Sequence, residues 1–238
     1  MEVSILILEL IGTVAFSASG AMIGIRKNMD LLGIAMLGLV TAAGGGVIRD
    51  LVLGIHPPVL FREPVYAIVA LATALVLFLP PIRAFFERNR RIYETVLFLM
   101  DTVGLAVFTV AGIRTAYLIS SAYSTFLLVF VGVITGVGGG ILRDILAGEP
   151  PYIFVKHVSA CASILGALAC ALLWDAAGQG AAMAAGAAIV IVIRVLAAYF
   201  RWSLPHACPA QVSVGNAGAQ ETRDTARFRR RKDACGLR

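Results

Sequence analysis

The sequence predicts an all-α integral membrane protein with seven transmembrane helices, arranged as a 3+3 inverted repeat plus one helix. Three observations support this fold class. The 238-residue chain is 59% hydrophobic and only 14% charged, whereas soluble domains carry about 45–50% apolar and about 25% charged residues. Its apolar residues form seven stretches of helical length, and one long segment occurs twice. The composition excludes a soluble globule and, for most of the chain, disorder.

Each apolar stretch is long enough to be a span, since the hydrocarbon core of a bilayer needs about 20 apolar residues per helix. The seven stretches cover residues 3–25, 31–53, 65–82, 95–113, 115–142, 157–174 and 176–193. None has the alternation, over segments of about ten residues, of an outer-membrane barrel. We therefore expect a seven-helix transmembrane domain over residues 1–202, with the seventh helix covering 176–200.

The repeated segment predicts how the spans are arranged. The stretch from Gly38 to Asp50 matches the stretch from Gly132 to Asp144, and both contain Gly-Gly-Gly-x-x-Arg-Asp. Repeat one is expected at about residues 3–82 and repeat two at about 93–174. Each copy holds three spans, and because three is odd the second copy enters the membrane from the opposite side.

Basic residues near the span ends predict the orientation. One face receives eight of them: Arg26, Lys27, Arg83, Arg88, Arg90, Arg91, Lys156 and Arg201. The other face receives only Arg62 and Arg114. Cytoplasmic loops carry the excess of Lys and Arg, so the N-terminus is expected outside and the C-terminus in the cytoplasm.

The segment 203–238 differs from the rest in composition. It holds seven basic and three acidic residues and supplies four of the six net positive charges. We expect a basic, disordered cytoplasmic tail. Because the remaining chain is nearly balanced in charge, nothing favours binding to nucleic acid.

Two glycine triplets are expected to break or kink the second and fifth helices. The triplets are Gly44, Gly45 and Gly46, and Gly138, Gly139 and Gly140. One glycine inside a helix costs about 1 kcal/mol relative to alanine, so two triplets at equivalent points indicate a purpose. Paired interruptions in an inverted repeat point to a transport site. The alternative is close helix packing through small residues.

Six charged residues are predicted to lie inside spans: Glu9, Arg49, Asp50, Asp101, Arg143 and Asp144. Such groups usually pair or face water. Adjacent residues on a helix diverge by about 100°, so each arginine is expected to pair with Glu9 or Asp101 rather than with its neighbour. Two interpretations stay open for the charges. They form a structural ion-pair network, or Asp50 and Asp144 attract cations at two pore mouths.

Further polar and aromatic residues recur at equivalent positions of the two copies. They are Phe16, Ser17 and Thr41 in the first copy and Phe108, Thr109 and Thr135 in the second. One interpretation is a polar lining with an aromatic constriction that gates by dewetting. The other is structural: hydroxyls in a span bond to the carbonyl four residues earlier, and phenylalanines face lipid.

Motifs of enzymes and cofactor sites are missing from the sequence. It has no P-loop, no nucleophile elbow and no metal-binding pair of histidines. We therefore expect no enzyme, no catalytic residue and no cofactor, and allow for a bound phospholipid. No metal site is expected.

The doubled Gly-Gly-Gly-x-x-Arg-Asp element, the 3+3+1 arrangement and the outside N-terminus resemble the prokaryotic branch of the trimeric intracellular cation (TRIC) channels. The same domain is known in bacteria as a glycine-transporter or UPF-type membrane protein. The resemblance covers roughly residues 5–200. It implies a homotrimer in a bacterial or archaeal cell membrane, surrounded by lipid. Each subunit would hold a pore for monovalent cations, potassium and sodium, lined by the first, second, fourth and fifth helices. A secondary transporter for glycine or another small amino acid is the alternative.

Overall fold

The computed structural model describes residues 2–120, 123–151 and 158–200. Within these ranges the chain is all-α, with no strand, as predicted. The helices are α1 (Glu2–Arg26), α2 (Leu31–Val52), α3 (Val59–Arg62), α4 (Val65–Phe78), α5 (Pro80–Arg88), α6 (Arg90–Ile119), α7 (Thr125–Leu146), α8 (Val158–Ala177) and α9 (Gln179–Tyr199). The predicted tail 203–238, Lys156 and Arg201 lie outside the described residues.

Six helices are long and apolar enough to cross a membrane: α1, α2, α6, α7, α8 and α9. The third apolar stretch, 65–82, is divided between α4 and α5, which meet at an angle of 71°, and the count reaches seven spans if this bent pair is taken as one. Leu79 between them is extended, with ψ 135°, because the following Pro80 disfavours helical backbone in the residue before it. The predicted third span, 65–82, is therefore wrong at its end. Its straight part stops at Phe78.

The boundaries of the fourth and fifth spans also differ from those predicted. The fourth was expected to end at 113, but α6 continues to Ile119, and α7 begins only at Thr125. Arg114 does not end α6, because no proline follows it and Gly112 is accommodated within the helix, which continues to Ile119. Ser124 caps α7 by accepting a hydrogen bond from the amide of Leu127 at 3.3 Å.

The two repeats are inverted, as predicted. A Cβ atom on Gly45 would overlap the carbonyl oxygen of Thr135, and one on Gly139 would overlap that of Thr41. A higher number on α2 thus faces a lower number on α7, so these helices run antiparallel. Helices α1 and α6 repeat the pattern: Phe16 packs on Gly104, and Phe108 packs on Gly12.

The glycine triplets do not break their helices. Helices α2 and α7 each continue as one α-helix through residues 44–46 and 138–140, so the predicted breaks are wrong. The reason is that glycine, which has no side chain, lets the two helices cross closely, so that their backbones are in contact at Gly45 and Gly139. Packing through small residues, the alternative considered above, explains these contacts. A kink of more than about 20° near Gly45 and Gly139 stays a prediction.

Helix α9 lies outside the repeat and packs on α8 and α6. The closest approach to α8 uses glycines again, because a Cβ on Gly166 would lie 2.7 Å from the carbonyl oxygen of Gly186. The two helices meet at Gly178, whose φ of 80° needs glycine. This packing brings the last turns of α9 to the end of the bundle where α1 ends.

The close crossing of α2 and α7 predicts that alanine substitutions at adjacent glycines differ strongly in their effect on the free energy of unfolding. Gly45→Ala should lower the free energy of unfolding by about 1–3 kcal/mol, the usual cost of overpacking. Gly46→Ala should carry no such cost, because the nearest atom to its new Cβ would be Nη2 of Arg49 at 3.9 Å. Thermal unfolding of both variants in detergent measures the difference, and Gly139→Ala against Gly140→Ala repeats the comparison. Equal melting temperatures within each pair would contradict the crossing.

One ion-pair cluster joins the end of α1 to the loop after α7. Oε1 of Glu149 lies 3.0 Å from Nη2 of Arg26 and 2.8 Å from Nζ of Lys27. The hydrogen bond from Lys27, and then the charge of Arg26, hold the pKa of the Glu149 carboxyl below its ordinary value of 4.5. All three side chains are partly exposed, so the cluster contributes as surface ion pairs do, about 0–1 kcal/mol.

The lowered pKa predicts a pH-dependent contribution to stability. A carboxyl with a lower pKa in the folded state stabilises the fold above its unfolded pKa, and this stabilisation is lost as the pH falls through the folded pKa. Glu149→Gln should therefore melt slightly below the parent chain at pH 7 and together with it once the pH is below the lowered pKa. The measurement is a series of melting curves from neutral to acid pH.

The control is Glu63→Gln, which removes an exposed carboxylate that has no ion pair among the described contacts. Its melting curves should follow the parent chain throughout. A deficit of Glu149→Gln that persists at the acid end would contradict the assignment.

Candidate functional site

Each of the two repeat-related helices ends in the same motif. A glycine in the left-handed region follows each: Gly54 after α2, with φ 73°, and Gly148 after α7, with φ 68°. The amide one residue further on donates to an aspartate carbonyl, at 2.8 Å for Asp50 and 2.9 Å for Asp144. This is the Schellman arrangement. It fixes the two aspartates in the last turns of antiparallel helices, and therefore at opposite ends of the bundle.

At the end of α2 the arginine pairs with its own neighbour. Oδ1 of Asp50 accepts from Nε of Arg49 at 2.8 Å and lies 2.7 Å from Nη2. Oδ2 accepts from the amide of Val59 at 2.7 Å, which caps the short helix α3. The prediction that each arginine avoids its neighbour is therefore wrong. The flexible arginine side chain folds back across the 100° between the two positions.

At the end of α7 the arginine makes both kinds of contact. Nε of Arg143 donates to Oδ1 of Asp144 at 2.9 Å, and Nη1 donates to Oδ1 of Asp101 at 2.7 Å and to the hydroxyl of Ser19. The predicted pairing of Arg143 with Asp101 is confirmed by this geometry. Asp50 and Asp144 are buried, and their action as cation attractors stays a prediction.

Glu9, the repeat equivalent of Asp101, has a different partner. Its Oε2 accepts from the hydroxyl of Tyr66 at 2.5 Å. Among the described contacts Arg49 pairs with neither Glu9 nor Asp101, the two candidate partners, because it has turned to Asp50. The sequence contained no signal for Tyr66, which comes from α4 and has no tyrosine at the equivalent position of the second repeat.

Sequence analysis missed Arg194, a buried charge on α9. Its Nη1 donates to Oδ2 of Asp101 at 2.8 Å, and its guanidinium carbon lies 5.2 Å from the centre of the Phe98 ring. Its side chain is 3% exposed. We expected the apolar stretch of this helix to end at 193, although the seventh helix, expected over 176–200, contains Arg194. The signal was present, since α9 continues to Tyr199 and a charge inside a span usually has a function or a partner.

A cavity of about 230 Å³ lies at the end of the bundle where α1 begins. We call it the wide cavity. It is lined by Glu9, Gly46, Tyr66, Phe108 and Arg114, with the Arg49–Asp50 pair and apolar side chains around them. It therefore combines an apolar wall with a few charged groups.

The repeat-related cavity at the other end is much smaller, about 30 Å³, and we call it the narrow cavity. It is lined by Phe16, Asp101, Gly140, Arg143 and Arg194, with Asp144 beside them. This volume holds one or two water molecules. The cavities at the two equivalent ends of the inverted repeat thus differ greatly in volume.

Phe16 and Phe108 stack on each other between the two cavities. Their ring centres are 5.2 Å apart and the ring planes are inclined by 29°. Phe108 lines the wide cavity and Phe16 lines the narrow one. Both rings are buried, so neither faces lipid. The predicted aromatic pair is brought together, and it separates the cavities.

The predicted hydroxyl residues are buried between helices and line neither cavity. Thr41 and Thr135 donate to the carbonyl four residues earlier, at 2.5 and 2.6 Å. Ser17 donates to the carbonyl of Ala70 at 2.5 Å, and the hydroxyl of Thr109 lies 2.8 Å from that of Ser163. These contacts fit the structural interpretation. A polar lining made by the four residues stays a prediction.

Arg114 carries a charge that faces the wide cavity without an ion-pair partner in the described part of the chain. Its Nε–H is buried and donates no hydrogen bond, the only buried side-chain nitrogen or oxygen without a partner among the described residues. A cation in the wide cavity therefore meets Glu9 and Arg114 together.

Comparison with known proteins matches both repeats. A family model described as glycine transporter matches residues 6–80 and 98–175. The UPF0126 membrane protein of Deinococcus radiodurans is 42% identical over 189 residues, which is 79% of this chain and 84% of the relative. The UPF0126 inner membrane protein YadS of Escherichia coli K12 is 34% identical over 197 residues, which is 83% of this chain and 92% of the relative.

Two solved structures resemble the whole bundle. A structure described as the basis for conductance through TRIC cation channels has 35% identity and a TM-score of 0.74, covering 87% of this chain and 98% of its own. The TRIC trimeric intracellular cation channel orthologue from Rhodobacter sphaeroides has 34% identity and a TM-score of 0.75, covering 84% and 99%. The chain therefore belongs to the UPF0126 family of membrane proteins, whose fold is that of the TRIC cation channels, as the resemblance implied.

Proposed function

We propose that this protein is a cation channel whose path runs through the single chain. The observation that carries the proposal is the Phe16–Phe108 stack, at which two cavities with charged walls approach each other from opposite ends of an inverted repeat. An apolar constriction between polar cavities is an arrangement that gates by dewetting. The likeness to TRIC cation channels, at 34–35% identity, supports the same function.

The permeant ions are monovalent cations, chiefly potassium, with sodium as a second ion. Ca²⁺ takes about six to eight oxygen ligands, whereas the carboxylates along this path are mostly engaged by arginines. The second carboxylate oxygen of Glu9 has no hydrogen bond among the described contacts. A site with few free oxygens holds a cation weakly and lets it leave, as conduction requires.

The chain forms a homotrimer with one pore per subunit, lined by α1, α2, α6 and α7. The description of the Rhodobacter sphaeroides channel as trimeric supports the assembly. The separate pores are supported by the cavities, because a single chain lines both: the wide cavity mainly with α1, α2 and α6, and the narrow cavity mainly with α1, α6 and α7.

The protein lies in the bacterial cell membrane with its N-terminus outside and its C-terminus in the cytoplasm. The positive-inside rule supports this orientation. Since Arg114 lies within α6 rather than at a span end, the outer face keeps only Arg62 of the two basic residues counted there. The wide cavity then opens outward and the narrow cavity faces the cytoplasm.

A secondary transporter for glycine is the alternative, and the matching family model carries that description. Transporters with inverted repeats bind anionic substrate groups at the N-termini of discontinuous helices. Helices α2 and α7 are continuous, so they offer no half-helix N-terminus to a substrate carboxylate. This argues for the channel.

The deciding experiment compares ion currents with uptake. The purified chain in planar bilayers should give single-channel potassium currents. In a KCl gradient their reversal potential should have the sign expected for a cation-selective channel. Proteoliposomes of the same preparation should not accumulate glycine in a saturable way. Saturable glycine uptake without channel currents would overturn the proposal in favour of the transporter.

The aromatic stack should limit the current. Phe16→Leu and Phe108→Leu each remove ring atoms from the constriction and should raise single-channel conductance or open probability. Phe130→Leu is the matched control, because this ring is 44% exposed on the outside of α7. Loss of a buried ring costs up to about 3–5 kcal/mol when alanine replaces it, so leucine is chosen and melting curves accompany the recordings. Currents that equal the control in both variants would remove the stack from the path.

A further inference from the structure

An inverted repeat alone should make the two ends of the path alike, and in this chain they are not. The wide cavity measures about 230 Å³ and the narrow cavity about 30 Å³. The helices that cross between them, α2 and α7, make reciprocal contacts. The difference must therefore come from residues that the repeat does not share.

Arg194 is such a residue, because α9 has no counterpart in the first repeat. It reaches the narrow cavity from outside the repeat and binds Oδ2 of Asp101 at 2.8 Å, while Arg143 binds Oδ1 at 2.7 Å. Both oxygens of Asp101 are thereby occupied by buried guanidinium groups. These side chains fill the space that stays open at the other end.

The equivalent position at the wide cavity shows what the end looks like without a seventh-helix arginine. Glu9 is held there by one neutral hydroxyl, that of Tyr66, and keeps one oxygen without a hydrogen bond. Among the described contacts, no arginine side chain pairs with Glu9. The contrast between Asp101 and Glu9 isolates the contribution of α9.

We infer that Arg194 is the gate residue of the narrow end: its bond to Asp101 holds this end closed, and its release opens the path to cations. The inference rests on the proposed channel function. Release would turn Asp101 from a doubly neutralised group into a carboxylate with a free oxygen, which attracts cations into the space that the guanidinium leaves.

The arrangement allows release without exposing an unpaired buried carboxylate. Asp101 keeps its bond to Arg143, which in turn keeps Asp144. The guanidinium of Arg194 retains its cation–π contact with the ring of Phe98, which is a favourable interaction. Breaking a buried pair is strongly destabilising when a charge stays uncompensated, and here Asp101 stays compensated.

The test replaces Arg194 and records single channels. Arg194→Met keeps much of the side-chain volume but removes the hydrogen bond, so the closed state should lose a charge-assisted bond and open probability should rise on the order of tenfold. Arg194→Lys keeps the charge but not the planar geometry, and should fall between Met and the parent chain. Val195→Met is the matched control, on the next residue of α9 and 45% exposed.

A second readout measures access to the narrow cavity without relying on current. Ser159 lines this cavity. In a background with the four cysteines replaced, Ser159→Cys should react slowly with a membrane-impermeant cationic thiol reagent, and on the order of tenfold faster when Arg194→Met is added. Val195→Met should leave the rate unchanged.

The outcomes separate this inference from the function on which it rests. No potassium current in any folded variant, together with faster modification in Arg194→Met, would refute the channel but not the gate. Potassium currents in the parent chain with unchanged open probability and modification rate in the variants would refute the gate alone. If Arg194→Met does not fold, Arg194→Lys decides: no rise in either readout overturns the inference.

Discussion

The contact of two helix backbones near the middle of the membrane, α2 against α7, is the constraint on which the rest of the structure depends. A Cβ atom at Gly45 or Gly139 would occupy the place of a carbonyl oxygen on the facing helix, so no other residue permits this distance. The third glycine of each triplet, Gly46 or Gly140, faces its cavity instead. One short motif therefore brings the repeats together and leaves space beside each charged pair.

Much of this architecture could be predicted from the sequence, because hydropathy and an internal repeat are properties of the chain alone. The antiparallel repeats and most of the span positions followed from the repeat and the hydropathy, and the expectation that an arginine pairs with Glu9 or Asp101 is met by Arg143. The continuity of α2 and α7 did not, since glycine permits a break and also permits contact, and only the facing helix decides between them. The partner of Arg49 was missed because a long side chain is not confined to the direction of its Cβ.

Arg194 shows a different limit of sequence reasoning. Comparison of the two repeats identifies residues at equivalent positions. Helix α9 has no counterpart, so the comparison could not identify Arg194. Burial of a charge is costly unless it is paired, and the four charges at the narrow end, Asp101, Arg143, Asp144 and Arg194, balance to zero. Of the three ion pairs among them, Arg143 forms two within the second repeat, with Asp101 and Asp144, and Arg194 of α9 forms the third with Asp101. The asymmetry between the ends is thus a property of the added helix.

The short helix α4 ties this protein to the thickness of its membrane. Its 14 residues rise about 21 Å, whereas the hydrocarbon core measures about 30 Å. After the 71° turn at Leu79, α5 leaves the direction of the span and presents Arg83 and Arg88 among apolar neighbours, as helices lying in the headgroup region do. Lipid next to α4 must thin or its acyl chains must tilt to match. The same short helix supplies Tyr66, which donates to Glu9, so the helix that must match the bilayer thickness also carries a wall residue of the wide cavity.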